Sequence, residues 1–123
     1  MIVQAFGSVI VLPWPPASLS GHANGHWRTK AAITRKYRKW ACDATLDWLY
    51  GRYPVFLDGD ILVKISFTPP NNRSDRTNYP NRIKPYLDGI ADALGVNDKR
   101  FLPSYEFCES KAPGSVTITL EAA

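Results

Sequence analysis

The segment Asp60–Thr68, with the sequence DILVKISFT, constrains the fold more than any other stretch of the chain. Its apolar and polar residues alternate, which is typical of a β-strand with one buried face and one exposed face. Pro69-Pro70 follows directly, and proline ends a strand because it cannot donate a backbone hydrogen bond to a neighbouring strand. The segment therefore predicts one strand of a sheet that other elements of the chain complete.

Three further segments also have the composition of strands. Residues 2–12 (IVQAFGSVIVL) are rich in β-branched residues, and the Pro13-Trp14-Pro15-Pro16 sequence that follows is predicted to end this strand. Near the other end of the chain, residues 103–109 and 115–121 predict two more strands. The turn Ala112-Pro113-Gly114 lies between these two segments and predicts that they form a hairpin.

Two segments have the 3.6-residue periodicity of amphipathic helices. The first is predicted to begin at an N-cap, Thr34, and to end at Gly51. Its apolar face comprises Tyr37, Trp40, Ala41, Ala44, Trp48 and Leu49. The second is predicted from about Asn81 to Leu94, where Gly95 ends it, and Pro85 predicts a late start or a kink.

The order of these segments predicts the fold class. A β-α-β-α-β-β order with a terminal hairpin indicates an α+β domain, in which two helices pack on a mixed sheet of about four strands. A length of 123 residues suits a single domain, residues 1–123, and an apolar content of 45% is sufficient for a core.

Other features of the chain indicate its compartment. No apolar run is long enough to span a membrane, and Met1–Leu12 lacks the basic n-region of a secretory signal. Cys42 and Cys108 are too few for a disulfide scaffold and are predicted to be reduced thiols. The sequence therefore predicts a cytoplasmic protein with no membrane partner.

Positive charge is concentrated in the first half of the chain. Residues 1–52 hold seven Lys or Arg and two acids, whereas residues 53–123 hold eight Lys or Arg and nine acids. Six bases and no acid lie between Arg28 and Lys39. A concentrated basic surface favours a phosphate backbone as partner, and the alternative is a solvated helix face.

Four aspartates in the second half are candidates for chemistry: Asp75, Asp88, Asp92 and Asp98. Lys84, Asp88 and Asp92 are spaced four residues apart, so they share the polar face of the second helix. Acids from a strand-end loop, a helix and the loop after it can converge, and Mg²⁺ acting on phosphate requires such oxygen ligands. The alternative is a Lys84–Asp88 surface pair with Asp98 in a turn.

Three blocks of sequence carry a resemblance to a known family. The blocks are Leu12-Pro13-Trp14-Pro15-Pro16 followed by Trp27-Arg28-Thr29; Asp75-Arg76-Thr77-Asn78 followed by Lys84 and Leu87-Asp88-Gly89-Ile90; and Gly95-Val96-Asn97-Asp98. In this order and spacing, over nearly the whole chain, they resemble the RusA family of Holliday junction resolvases. These are small crossover-junction endodeoxyribonucleases common on phages and prophages.

The resemblance implies a set of site residues. Asp75 corresponds to the first metal ligand of the family, Asp98 to its last, and Lys84 to the lysine needed for cleavage. Asp88 corresponds to the helix aspartate of the family and is expected to be a further metal ligand. The expected catalytic residues are thus Asp75, Asp88, Asp98 and Lys84, and the expected cofactor is Mg²⁺, with Mn²⁺ as a substitute.

Two positions depart from the family pattern. Thr77 stands where the family has its second metal-binding acid, and Asn97 replaces the first acid of the closing pair. The loss of a negative ligand lowers the expected affinity for Mg²⁺, although the threonine hydroxyl can hold a metal-bound water. An alternative function is therefore a RusA-like protein that binds branched DNA and cuts it weakly or not at all.

The expected activity is Mg²⁺-dependent cleavage of four-way DNA junctions in recombination and repair, in the cytoplasm of a bacterial or phage-infected cell. One domain offers one acidic site, and a junction has two strands to cut, so a homodimer is expected. The residues expected to contact DNA phosphates are Arg28, Lys30, Arg35, Lys36, Arg38, Lys39, Arg73, Arg76, Arg82, Lys99 and Arg100.

Overall fold

In a computed structural model, the described residues 9–19, 27–50 and 58–123 form two layers, with helices packed on one face of a four-stranded sheet. The strands are β1 (Ile10–Pro13), β2 (Ile61–Thr68), β3 (Phe101–Phe107) and β4 (Ser115–Ala122). The helices are α1 (Trp27–Leu49), α2 (Tyr79–Arg82) and α3 (Lys84–Leu94). The predicted α+β class and mixed sheet are confirmed, whereas the predicted strand residues 2–8 and the stop at Gly51 lie outside the described residues.

The sheet buries one face because its strands alternate. In β2 the side chains of Ile61, Val63, Ile65 and Phe67 are buried, and the residues between them are at least partly exposed. Val116, Ile118 and Leu120 repeat this pattern in β4, which is why the two strands form the centre of the core.

The predicted hairpin between the last two strands is wrong. β4 lies between β1 and β2 and is antiparallel to both, whereas β3 pairs with the opposite edge of β2 in parallel. Pro103 gives a physical reason, because proline cannot donate to a second neighbour and suits an edge strand. The connection instead passes over the end of β2, where the N–H of Cys108 donates to the carbonyl of Phe67 at 2.8 Å.

Helix α1 begins at Trp27, seven residues before the predicted N-cap. Thr34 lies inside the helix, where its hydroxyl donates to the carbonyl of Lys30 at 2.9 Å. A threonine that bonds to the carbonyl four residues before it is compatible with a helix interior, so its sequence signal was misleading. The buried residues Ala41, Thr45 and Trp48 face the core.

The predicted second helix is divided at Ile83 into α2 and α3. Pro85 lies in the first turn of α3, where its missing N–H is not needed, so the predicted late start is confirmed. Gly95 ends α3 with a φ of 69°, a left-handed conformation that glycine adopts without strain. This reversal turns the chain back toward the start of α3 and thereby positions the residues described next.

Within the described ranges, no helix combines the length and the apolar character that crossing a membrane requires.

Candidate functional site

Lys84, Asp88 and Asp98 meet at one point, and we call these three residues the Lys84 cluster. The ammonium of Lys84 donates to Asp88 Oδ1 at 2.9 Å and also to Asp98 Oδ2. The side chain of Lys84 is 61% exposed, and those of Asp88 and Asp98 are about one-third exposed or less. Three of the four predicted catalytic residues are thus brought together at an accessible surface.

Local structure explains this convergence. Lys84 and Asp88 are one helical turn apart on α3, so their side chains lie on one side of the helix. After Gly95, the side chain of Asn97 accepts from the N–H of Lys99 at 2.9 Å and begins the 3₁₀ helix Asp98–Arg100. Asn97, which replaces an acid of the family pattern, therefore acts as a cap next to Asp98.

Hydrogen bonding within the cluster stabilises its charged forms. The bonds to Asp98 and Asp88 raise the pKa of Lys84, and the bond from Lys84 lowers the pKa of Asp98. At neutral pH the lysine is protonated and the Asp98 carboxylate is charged. Because the groups are substantially exposed, water screens the attraction, and the cluster contributes little to folding stability.

A second ion pair, whose pairing the sequence did not predict, borders the cluster. The guanidinium of Arg38 on α1 donates to both carboxylate oxygens of Asp92, at 2.7 and 2.8 Å. Asp92 follows Asp88 by one turn of α3, so the four-residue spacing of the acids was the available signal. The bond to Asp92 raises the pKa of Arg38, and the charges of Asp88 and Asp98 add to this effect.

The Arg38–Asp92 pair predicts a pH dependence. Arg38 lowers the pKa of Asp92 in the folded state, so the pair stabilises the fold above the unfolded-state pKa of about 3.9. This stabilisation is lost as the pH falls through the lower folded-state pKa. We expect the urea midpoint to drop less between pH 5 and pH 2.5 in Asp92→Asn than in the wild-type protein.

The exposed Asp47 of α1 provides the control for this measurement. Asp47→Asn should show the wild-type drop in urea midpoint between the two pH values. An equal drop in all three proteins would mean that the Arg38–Asp92 pair does not contribute to stability.

Asp75 lies in a separate environment. Its Oδ1 accepts from the N–H of Thr77 at 3.0 Å and from the Thr77 hydroxyl at 2.9 Å, and these bonds lower the pKa of Asp75. Thr77 thus holds the carboxylate of Asp75 at the start of the 3₁₀ helix Arg76–Asn78. Neither a hydrogen bond nor an ion pair joins Asp75 to the Lys84 cluster in the described structure.

Asp75 also borders a cavity of about 300 Å³. The cavity is lined by Pro69, Asn72, Ser74, Asp75, Arg76 and Tyr79. This polar hollow therefore lies between the end of β2 and the start of α2, and it opens to solvent.

The predicted metal ligands can be compared with this geometry. No group of three or more His, Cys, Asp or Glu side chains placed to hold a metal occurs in residues 9–19, 27–50 and 58–123. Asp88 and Asp98 nevertheless contact one cation, the ammonium of Lys84. Mg²⁺ is commonly held by one or two carboxylates together with waters and substrate phosphates, so this pair of donors fits it chemically.

Most of the predicted phosphate-binding residues lie at the surface. Arg28, Arg35 and Lys39 are exposed and share one side of α1, because their spacings of seven and four residues are close to whole turns. Lys36 lies against the Trp40 ring at 4.7 Å. Apart from Arg82, the remaining residues of this kind are exposed or partly exposed: Lys30, Arg38, Arg73, Arg76, Lys99 and Arg100.

Arg82, which is expected from the sequence to contact a DNA phosphate, is largely buried. Arg82 ends α2 and is only 7% exposed, because its guanidinium lies over the Tyr79 ring, 5.5 Å from the ring centre. This burial lowers the pKa of Arg82. Nothing local in the sequence indicated this burial, since arginine is usually exposed.

Comparison with known proteins adds a relative to these observations. The chain is 37% identical over 116 residues to an uncharacterized protein of Xylella fastidiosa (strain Temecula1). The match covers 90% of this chain and 74% of the relative. No family model matches the chain. A function for the chain must therefore be argued from its site.

Proposed function

This chain belongs to the same protein family as the Xylella fastidiosa protein, and we propose that it is a RusA-like, Mg²⁺-dependent endonuclease of four-way DNA junctions. The observation that carries the proposal is the Lys84 cluster, in which two carboxylates and one ammonium converge at a half-exposed surface. Carboxylates with an adjacent lysine are the groups that metal-assisted cleavage of a phosphodiester requires.

In this proposal the acids bind the cation and the lysine contacts the phosphate. Asp88 and Asp98 would hold the cation, and Asp75 is the third ligand proposed from its sequence motif. The chemistry that a bound Mg²⁺ supplies at such a site is neutralisation of the phosphate charge and activation of a water. The raised pKa of Lys84 keeps it an ammonium at neutral pH, and this ammonium would donate a hydrogen bond to a phosphate oxygen rather than give up a proton to the leaving group.

The basic surface supports DNA as the substrate. The exposed row of Arg28, Arg35 and Lys39 runs along α1, and Arg38 on the same helix borders the Lys84 cluster. A phosphate backbone that follows this row would be led toward the acidic site. Such contacts hold the backbone without reading the base sequence.

A homodimer in the cytoplasm completes the proposal. Each chain offers one Lys84 cluster, and two strands of a junction are to be cut, so a two-fold dimer would place one site on each strand. We place the activity in DNA recombination and repair in a bacterial or phage-infected cell.

The test is incubation of the wild-type protein with a labelled four-way junction, with Mg²⁺ or Mn²⁺ and with EDTA. We expect cleavage with either ion, none with EDTA, and binding at least about tenfold tighter for the junction than for a duplex of the same sequence. If about six phosphates are contacted, the affinity should fall with a log–log salt slope of about −5. A folded protein that cuts no junction with either ion would refute the nuclease.

A second candidate is a branched-DNA-binding protein without cleavage. It is favoured by Thr77, which occupies an acid position of the family pattern and engages the Asp75 carboxylate in two hydrogen bonds. The ammonium of Lys84 also bonds to both carboxylates and balances one of their two negative charges without a metal. This candidate predicts salt-sensitive junction binding and no cutting, so the same experiment distinguishes it from the nuclease.

A further inference from the structure

Arg82 carries a buried positive charge that the described structure does not neutralise. Its Nη1 reaches the carbonyl of Pro15 only at 3.5 Å, the limit of a hydrogen bond, and its Nε has no partner. None of the hydrogen bonds or ion pairs of the described residues joins a carboxylate to Arg82. The guanidinium also lies over the face of the Tyr79 ring.

These contacts leave the Nε of the guanidinium buried without a hydrogen-bond partner. Arginine stays charged in proteins and presents five N–H donors in a rigid fork. A buried donor without a partner is costly, and a buried charge without a counter-ion is more so. The Tyr79 ring stabilises the positive charge from one side but accepts none of the hydrogen bonds along the edge of the fork.

We propose that Arg82 is the anchor of an oxyanion-binding site beside Pro15 and Tyr79, and that its ligand is a phosphate group. The guanidinium fork matches two oxygens of such a group. Charge around α2 favours phosphate, because Asp75 is the one acid in residues 69–83, and Arg73 and Arg76 are exposed in the same stretch. The site is distinct from the Lys84 cluster and stands whether or not the protein cuts DNA.

Inorganic phosphate is the probe for this site, with the melting temperature as the measurement and sodium chloride of matched ionic strength as the reference. At a phosphate concentration ten times its Kd, we expect the wild-type melting temperature to rise by about 4 °C over the reference. Arg82→Met should show no rise. Without phosphate it should melt at or above the wild-type temperature, because methionine fills the space without a buried charge.

Two further variants make the result specific. Arg82→Lys keeps the charge but lacks the planar fork, so most of the phosphate response should be lost. Lys111→Met removes an exposed positive charge elsewhere and should respond as the wild-type protein does.

Three outcomes would overturn the proposal. The wild-type protein could melt at the same temperature in phosphate and in chloride, or Arg82→Met could respond to phosphate as strongly as wild type. Alternatively, Arg82→Met could melt below wild type without phosphate, which would show that Arg82 is a structural support for Pro15. Once the site is confirmed, the source of the phosphate is identified from the melting temperature with a 5′-phosphorylated oligonucleotide and with the same oligonucleotide lacking that phosphate. A larger rise with the phosphorylated oligonucleotide would identify a nucleic-acid phosphate, and equal rises would identify a free phosphate.

Discussion

Replacing Gly89 by alanine is expected to lower the free energy of unfolding by about 3 kcal/mol and the melting temperature by about 10 °C. Gly89 lies on α3 where this helix contacts α1. A Cβ atom there would lie 2.1 Å from the carbonyl oxygen of Arg38 and 2.9 Å from the backbone nitrogen of Cys42. Backbone atoms cannot rotate away as a side chain can, so the two helices must separate.

Gly95→Ala is the matched control, because it changes a glycine at the end of the same helix. Its added Cβ would meet nothing within 4 Å, and the cost comes only from the positive φ of 69°, about 1 kcal/mol. Urea unfolding of the two variants measures the difference. Equal losses in the two variants would show that α1 and α3 do not pack as closely at Gly89 as described.

The Gly89 contact also links stability to the candidate site. Arg38 supplies the carbonyl that Gly89 approaches, and its side chain holds Asp92 beside the Lys84 cluster. If alanine separates the helices, this ion pair should weaken as well. Gly89→Ala is therefore expected to reduce the difference in acid sensitivity that Asp92→Asn reveals.

The sequence predicted those parts of the fold that depend on local periodicity. The alternation in β2, the proline at the start of α3 and the glycine at its end were confirmed, because each of these features depends only on residues that are close in the sequence. The pairing of β4 was not predicted correctly, since an alternating strand fits equally well beside β1, β2 or β3. Which neighbours it takes depends on the apolar faces of the whole sheet and on Pro103, which favours an edge position for β3.

In the candidate site, too, the contacts between residues close in the sequence were predictable and the long-range contacts were not. Lys84 and Asp88 follow from helical spacing, and Asp98 follows from the turn at Gly95, so their meeting was predictable. Asp92 pairs with Arg38 of α1, which is more than fifty residues away, and nothing in the local sequence predicts this pairing. The burial of Arg82 likewise depends on the path of the Pro15 segment over α2.

The largest effect of all is expected for Asp98→Asn, which should reduce junction cleavage by about 100-fold or more, equivalent to about 3 kcal/mol of transition-state stabilisation. The substitution keeps the shape of the side chain but removes the charge that faces Lys84 and the proposed cation. Binding of the junction should be unchanged or tighter, because a negative charge near the phosphates is lost.

Cleavage rates and junction affinities are measured for Asp98→Asn beside two other variants. Glu109→Gln removes an exposed acid outside the cluster and should behave as the wild-type protein in both measurements. Asp75→Asn tests the proposed ligand that has no hydrogen bond or ion pair with the Lys84 cluster in the described structure. The nuclease proposal expects this variant to lose cleavage as Asp98→Asn does. Normal cleavage by Asp75→Asn alone would leave Asp88 and Asp98 as the acids of the site, whereas normal cleavage by both variants would refute the site assignment.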